Sequence, residues 1–294
     1  MESSQLNKDI VEKYRCRVEE FFRRTAAMGI RNLENYYWYH TVDLGEGLIT
    51  PGTYDYRDKL SVFPFPEEMR GMNVLDVGSA SGFFSFEFER RGAAVTSVEI
   101  PALSGLDCFP GETLGQTINK LKKMMPSHSA FSREQQDKLF CLEGAEKLYN
   151  YFIDGPFKFC QRMLKSKVDR HYCTVYDICP ERLGRTYDLV FLGDILLHTI
   201  HPLKALASAA SVCDGTLILS QALPDAPDNL PMMVYMGGEV QGEDDLSWWW
   251  PNLSCHISLL KKLGFRQVSM VGKNSGYLQS AGDYFERAII QAIR

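Results

Sequence analysis

An apolar run, Asn73 to Val77, breaks at Gly78 into small residues, Ser79-Ala-Ser-Gly82, and then reads on as a helix from Gly82 to Arg91. A strand that turns straight into a helix through small residues lets the backbone approach a bound molecule closely, because little side chain stands in the way. It also commits the downstream chain to a crossover architecture. Strands are expected at 94–100, 172–176, 187–192 and 216–220, with a helix at 202–212. Such alternation predicts an α/β fold built on a parallel sheet. The tail departs from it. A helix over 253–263 precedes a strand at 266–271, a turn-rich loop through Gly276 and a last strand at 284–292, which predicts an antiparallel final pair.

The 294 residues, 45% of them hydrophobic, suffice for one full core with appendages. Residues 1–70 read as an N-terminal extension. It opens with an amphipathic helix over about 8–30 that resembles a lid or packing helix, then becomes aromatic and glycine-rich. Residues 71–294 read as the main domain. About 70 residues separate its second and third strands, far more than a crossover needs, so a helical insert is expected at about 103–170, with helices at 118–125, 134–142 and 157–164.

The 37 acidic and 32 basic residues leave a formal charge of -5, which offers no general attraction to nucleic-acid phosphates. The eight cysteines show no zinc-site spacing, so no metal is expected. A polar N-terminus and the lack of a long apolar run predict a cytoplasmic protein with no membrane partner. Neither observation bears on oligomeric state.

Glu99 ends the second strand, 23 positions after Asp76, and is placed to accept hydrogen bonds from the two hydroxyls of a ribose. A nicotinamide dehydrogenase shares that acid but normally carries G-x-G-x-x-G, where this chain has Gly78-x-x-x-Gly82. The spacing therefore disfavours pyrophosphate. A tight turn without any ligand is the plainer alternative.

Together, Asp76-x-Gly78-x-x-x-Gly82, Glu99, Val175-Tyr-Asp-Ile178 and Tyr187-Asp-Leu-Val-Phe-Leu-Gly193 resemble the ordered motifs of class I methyltransferases, which use S-adenosylmethionine. The resemblance implies a Rossmann-like seven-stranded sheet with an antiparallel last strand. It also implies Asp76, Gly78, Ser79, Ala80 and Gly82 beneath the methionine part of the cofactor, Glu99 and Ile100 at the ribose, Asp177 and Ile178 around the adenine, and Leu192 and Gly193 beside the sulfonium. Ala80 stands where the family usually has its middle glycine.

A second resemblance, carried by Trp38-Tyr-His-Thr-Val-Asp-Leu-Gly-Glu-Gly-Leu-Ile-Thr-Pro-Gly52 and by Leu196-Leu-His198, is to the subfamily containing the tRNA wobble-uridine carboxymethyltransferase. That enzyme uses a carboxylated cofactor and has a Lys-Gly-Pro-Phe stretch upstream of the first strand. This chain has none there, which favours ordinary S-adenosylmethionine and a small-molecule O- or N-acceptor over tRNA.

His198, after the fourth strand, and His40 are the candidates for removing the acceptor's proton, with a structural role at a helix start as the alternative for His198. Trp38 and the indoles of Trp248, Trp249 and Trp250 are candidates for acceptor contact, and Arg57 for a bidentate contact with a cofactor or substrate carboxylate. For Arg57 a solvated surface position is the alternative, and for the indoles packing between sheet and lid. A scaffold that binds the cofactor without turnover is the remaining reading.

Overall fold

Strand residues pack alternately on two faces, and both faces are covered. In the computed structural model, which describes residues 2–33, 36–123, 137 and 139–294, β1 (Asn73–Val77), β2 (Ala94–Glu99), β3 (Asp169–Tyr172), β4 (Tyr187–Gly193) and β5 (Cys213–Gln221) run parallel. A short antiparallel pair, β6 (Met233–Tyr235) and β7 (Trp249–Pro251), stands apart. The last strands, β8 (Gln267–Tyr277) and β9 (Tyr284–Ile293), complete a seven-stranded sheet in the order β3-β2-β1-β4-β5-β9-β8, with β9 antiparallel to both neighbours.

The period of two decides which residue enters which core. Val74, Leu189, Phe191, Ile218 and Ile289 point to one face, where the N-terminal helix α1 (Glu2–Ala27) and helix α2 (Phe83–Arg90) pack. Leu75, Val190, Leu192, Leu217 and Ile290 point to the other, against the helices Pro202–Ser211 and Leu253–Lys262. The first face is unusually aromatic. Phe63 stacks on Phe65 at 4.9 Å, Phe65 meets Phe88 edge-on at 4.9 Å, and Phe84 lies 4.5 Å from Phe191. This cluster joins the N-terminal extension to the sheet.

Three expectations are corrected. The third strand lies at Asp169–Tyr172, before the expected span, because Cys173 makes the last bond to Glu99 and the chain then turns through Thr174 and Asp177. β8 continues through Gly276, where a loop was expected, since it pairs with β9 along its whole length. Helix α1 starts earlier than expected and stops at Ala27, where Gly29 takes a left-handed conformation and the Ile30 amide donates back to Thr25.

The insert contains the helices Leu114–Lys123, Ala145–Tyr149 and Gly155–Leu164, and its Leu103, Ile118 and Leu148 share a small core with Leu246 from the segment before β7. Residues 124 and 125 of the first expected insert helix, and 134–136 and 138 of the second, lie outside the described residues. Among the described residues no helix is long and apolar enough to cross a membrane.

Phe88 is fully buried in the aromatic cluster. Phe88→Ala is expected to lower unfolding free energy by about 3–5 kcal/mol in urea titrations. Phe109→Ala, at a half-exposed ring, is expected to change it by no more than about 0.5 kcal/mol.

Candidate active site

The strand order reverses between β1 and β4, so the crossovers leave the sheet in opposite directions and open a crevice beyond the carboxyl ends of the strands. A cavity of about 320 Å³ lies there. Its two ends differ in chemistry.

One end is built by the loop after β1. Gly78 has φ 71, a left-handed conformation that favours glycine, and a Cβ there would come within 1.9 Å of the Ile195 side chain, which would have to move aside. Ala80 adopts φ 48, the left-handed region in which a glycine would be unstrained, and its amide donates to Glu99 Oε2 at 3.2 Å. Glu99 Oε1 accepts from the Ile100 amide at 3.0 Å. Each oxygen retains a lone pair directed at further donors, as two ribose hydroxyls would require. Burial raises the Glu99 carboxyl above its usual range, against a lowering influence from Arg170.

Arg170 is a component that the sequence did not disclose. It lies in β3 with its guanidinium 3.7 Å from the Phe157 ring centroid, and it donates to Ser79 Oγ at 2.9 Å, bracing the loop from behind. Asp76 is buried and accepts from Ser85 Oγ at 2.6 Å. Burial pushes its carboxyl up to about 7, although the Ser85 hydroxyl works in the opposite direction.

The other end is aromatic, lined by Tyr37, Tyr39, Tyr56, Phe84, Phe152 and Phe191. Burial, with the Asp194 carboxylate close by, holds the Tyr39 and Tyr56 hydroxyls protonated. Asp194, at φ 51 just past β4, is engaged by the Arg287 guanidinium and accepts from the Ala222 amide at 3.2 Å. His40 lines the cavity with its Nδ1 unpartnered, and burial lowers its imidazole to about 3, so it stays neutral. His198 Nδ1 lies 2.7 Å from the Leu246 carbonyl. A carbonyl only accepts, so Nδ1 carries a proton, and in the neutral ring Nε2 keeps the lone pair.

Asp76, Gly78, Ser79, Ala80, Glu99, Ile100, Gly193, His40 and His198 thus line one cavity. The other expected site residues lie elsewhere. Gly82 caps α2, where a Cβ would strike Phe86 and Phe157. Asp177 is turned outward and accepts from Thr174, while Ile178 and Leu192 point into the core, so Thr174, Val175 and Tyr176 line the rim instead. Trp38 packs edge-on against Phe21 at 5.2 Å in the core. The Arg57 fork is occupied by Asp55, at 2.9 and 2.8 Å, and Asp55 also binds Arg17 of α1.

The indole wall is corrected too. Trp248 is wholly buried under Lys120, Trp249 packs on Tyr235, and the Trp250 indole donates to Ser247. Leu246, two positions earlier, is what reaches the cavity.

The Asp76 carboxyl yields a signed prediction. Between about pH 4 and 7 the ligand-free fold keeps a proton there that the unfolded chain, with its ordinary value of 3.8, has lost. The folded state then binds more protons, so stability falls as pH rises through this window. Urea titrations of wild type and Asp76→Asn at pH 5, 6 and 7 are expected to differ in slope by up to about 1.4 kcal/mol per pH unit, the wild type having the more negative slope. Groups common to both proteins, among them Glu99, His40 and His256, cancel in that difference, and equal slopes contradict the assignment.

Over residues 52–268 the chain matches the family described as "Methyltransferase domain". No curated protein matches it. Among solved structures it is similar to magnesium protoporphyrin IX methyltransferase from Synechocystis PCC 6803 with bound SAM, at 16% identity, 77% and 71% coverage of the two chains and a TM-score of 0.43. It is also similar to the N-terminal domain of EvdMO1 with SAH and D-fucose, at 15% identity, 94% and 97% coverage and a TM-score of 0.47. A third likeness is to 1,6-didemethyltoxoflavin-N1-methyltransferase from Burkholderia thailandensis, at 15% identity, 76% and 72% coverage and a TM-score of 0.39. The family match spans most of the chain and includes the crevice strands, the glycine loop and Glu99; the chain belongs to the methyltransferase-domain family.

Proposed function

We propose that this methyltransferase moves the methyl group of S-adenosylmethionine to an oxygen or nitrogen of a small, uncharged acceptor with an aromatic face. The observation that carries the reading is one cavity whose loop end offers Gly78, Ala80 and Glu99 and whose far end is lined by tyrosines and phenylalanines. Bound S-adenosylmethionine supplies an electrophilic methyl group and leaves as a neutral thioether. The chain's own task is alignment and exclusion of water. Glu99 binds the ribose, the Gly78–Ala80 backbone supports the amino-acid part, and the rim at Thr174, Val175 and Tyr176 covers the base.

Charge supports the ordinary cofactor. Asp76, Glu99, Asp107 and Asp194 all line the cavity, a setting that suits a sulfonium and an ammonium. An added carboxylate at the acceptor end meets Asp194, whose Arg287 partner is already engaged. The same carboxylates and the net charge of -5 weigh against a tRNA, the acceptor suggested by the wobble-uridine resemblance.

Of the two imidazoles, His198 suits the base role, with a lone pair on Nε2 and an open position at the cavity edge. His40, held neutral by burial, suits a hydrogen bond to the acceptor instead.

Calorimetric titration tests the cofactor end. Glu99→Ala is expected to weaken S-adenosylmethionine and its demethylated product equally, by about 2–4 kcal/mol, or roughly 30- to 1,000-fold. Unchanged affinity in that variant, or tighter wild-type binding of the carboxylated analogue, counts against the reading.

A further inference from the structure

Behind His198 lies a buried ionic cluster that links the insert to the segment before β7. Lys120 Nζ sits 2.6 Å from Glu112 Oε2 and 2.5 Å from Asp244 Oδ2, and the three side chains are between 0% and 2% exposed. The lysine also lies 4.9 Å from the Trp248 ring centroid. Glu112 accepts from the Gly242 amide at 2.6 Å and from the Phe109 amide at 3.0 Å. Burial would raise its carboxyl, but Lys120 and these amides bring it below the usual range. Stability alone does not call for such a cluster, since apolar groups of similar volume commonly serve as well.

What the cluster does locally is specific. The second oxygen of Asp244, Oδ1, accepts from the Leu246 amide at 2.9 Å. Leu246 has φ 60, a left-handed conformation that a leucine adopts only where its surroundings impose it. In that conformation its carbonyl accepts from His198 Nδ1 at 2.7 Å, and its side chain lines the cavity.

We propose that Asp244, anchored by Lys120, is a positioning residue for His198: it imposes the strained conformation of Leu246, whose carbonyl then holds the imidazole in its Nδ1–H tautomer with Nε2 toward the acceptor. The proposal rests on the reading of His198 as the base. The insert, absent from a minimal crossover, thereby reaches the reacting end of the site through Lys120 and Glu112. No proton passes along the chain of contacts; it sets a tautomer and a direction.

The test is nitrogen-15 NMR of the imidazoles in the full-length protein, with the His198 signals assigned by His198→Asn. In the neutral ring wild type is expected to show a protonated Nδ1 and an unprotonated Nε2, and an even mixture of tautomers overturns the proposal without any variant. In Asp244→Ala the separation between the two nitrogens is expected to collapse, while the signals of His256, buried in a different part of the fold, stay put. Should that variant not fold, Asp244→Asn, which keeps the volume and loses the ion pair, is expected to show a partial collapse. A folded variant with unchanged His198 nitrogens overturns the proposal. The measurement needs neither acceptor nor turnover, so failure of His198→Asn to affect methylation sinks the base reading and leaves this result standing.

Discussion

The close passage of Gly78 past Ile195 is the constraint on which the site depends. It brings the loop after β1 against the loop after β4, at the point where the strand order reverses. A methyl group at position 78 would be strained at φ 71 and would push the Ile195 side chain out of its present place. The rest of the fold serves this contact: apolar strands covered on both faces hold β1 and β4 rigidly side by side, and the aromatic cluster around Phe84 and Phe191 joins the N-terminal extension to the same two elements.

In the proposed reading, electrostatics divides the cavity into a part that binds and a part that reacts. At the loop end, buried carboxyls at Asp76 and Glu99 are held above their ordinary range because water is excluded, which leaves them poised to gain from a cationic ligand. At the far end the charges are already matched, Asp194 by Arg287, and the tyrosines remain protonated. His40 is likewise neutral. An uncharged acceptor enters such a place without leaving a buried charge unpaired.

The parts of this arrangement that were legible in the sequence are those governed by local rules. The β1 loop, Glu99 and the antiparallel ending follow from strand periodicity and small-residue spacing, which tertiary packing did not override. β3 was misplaced because its residues Asp169, Arg170 and His171 are polar, as befits a short edge strand, so an apolar-run reading passes over them. Arg170 was hidden by the same composition. The indoles were misread for a different reason. Trp248 is buried beneath a lysine far away in sequence, and nothing within its own segment signals that partner. Asp244, three positions from Ser247, is likewise only an acidic loop residue until Lys120 is seen against it. Long-range ion pairing leaves no periodicity for a sequence to display.

The central claim, that one cavity receives the cofactor at Glu99 and presents its methyl group to the tyrosine-lined end, is tested most directly by a crystal structure with the demethylated cofactor product. The account predicts both ribose hydroxyls within hydrogen-bonding distance of Glu99 and the sulfur facing the space between His198, Asp194 and Phe191. A product molecule bound with its ribose away from Glu99, or with its sulfur turned from that space, would contradict it.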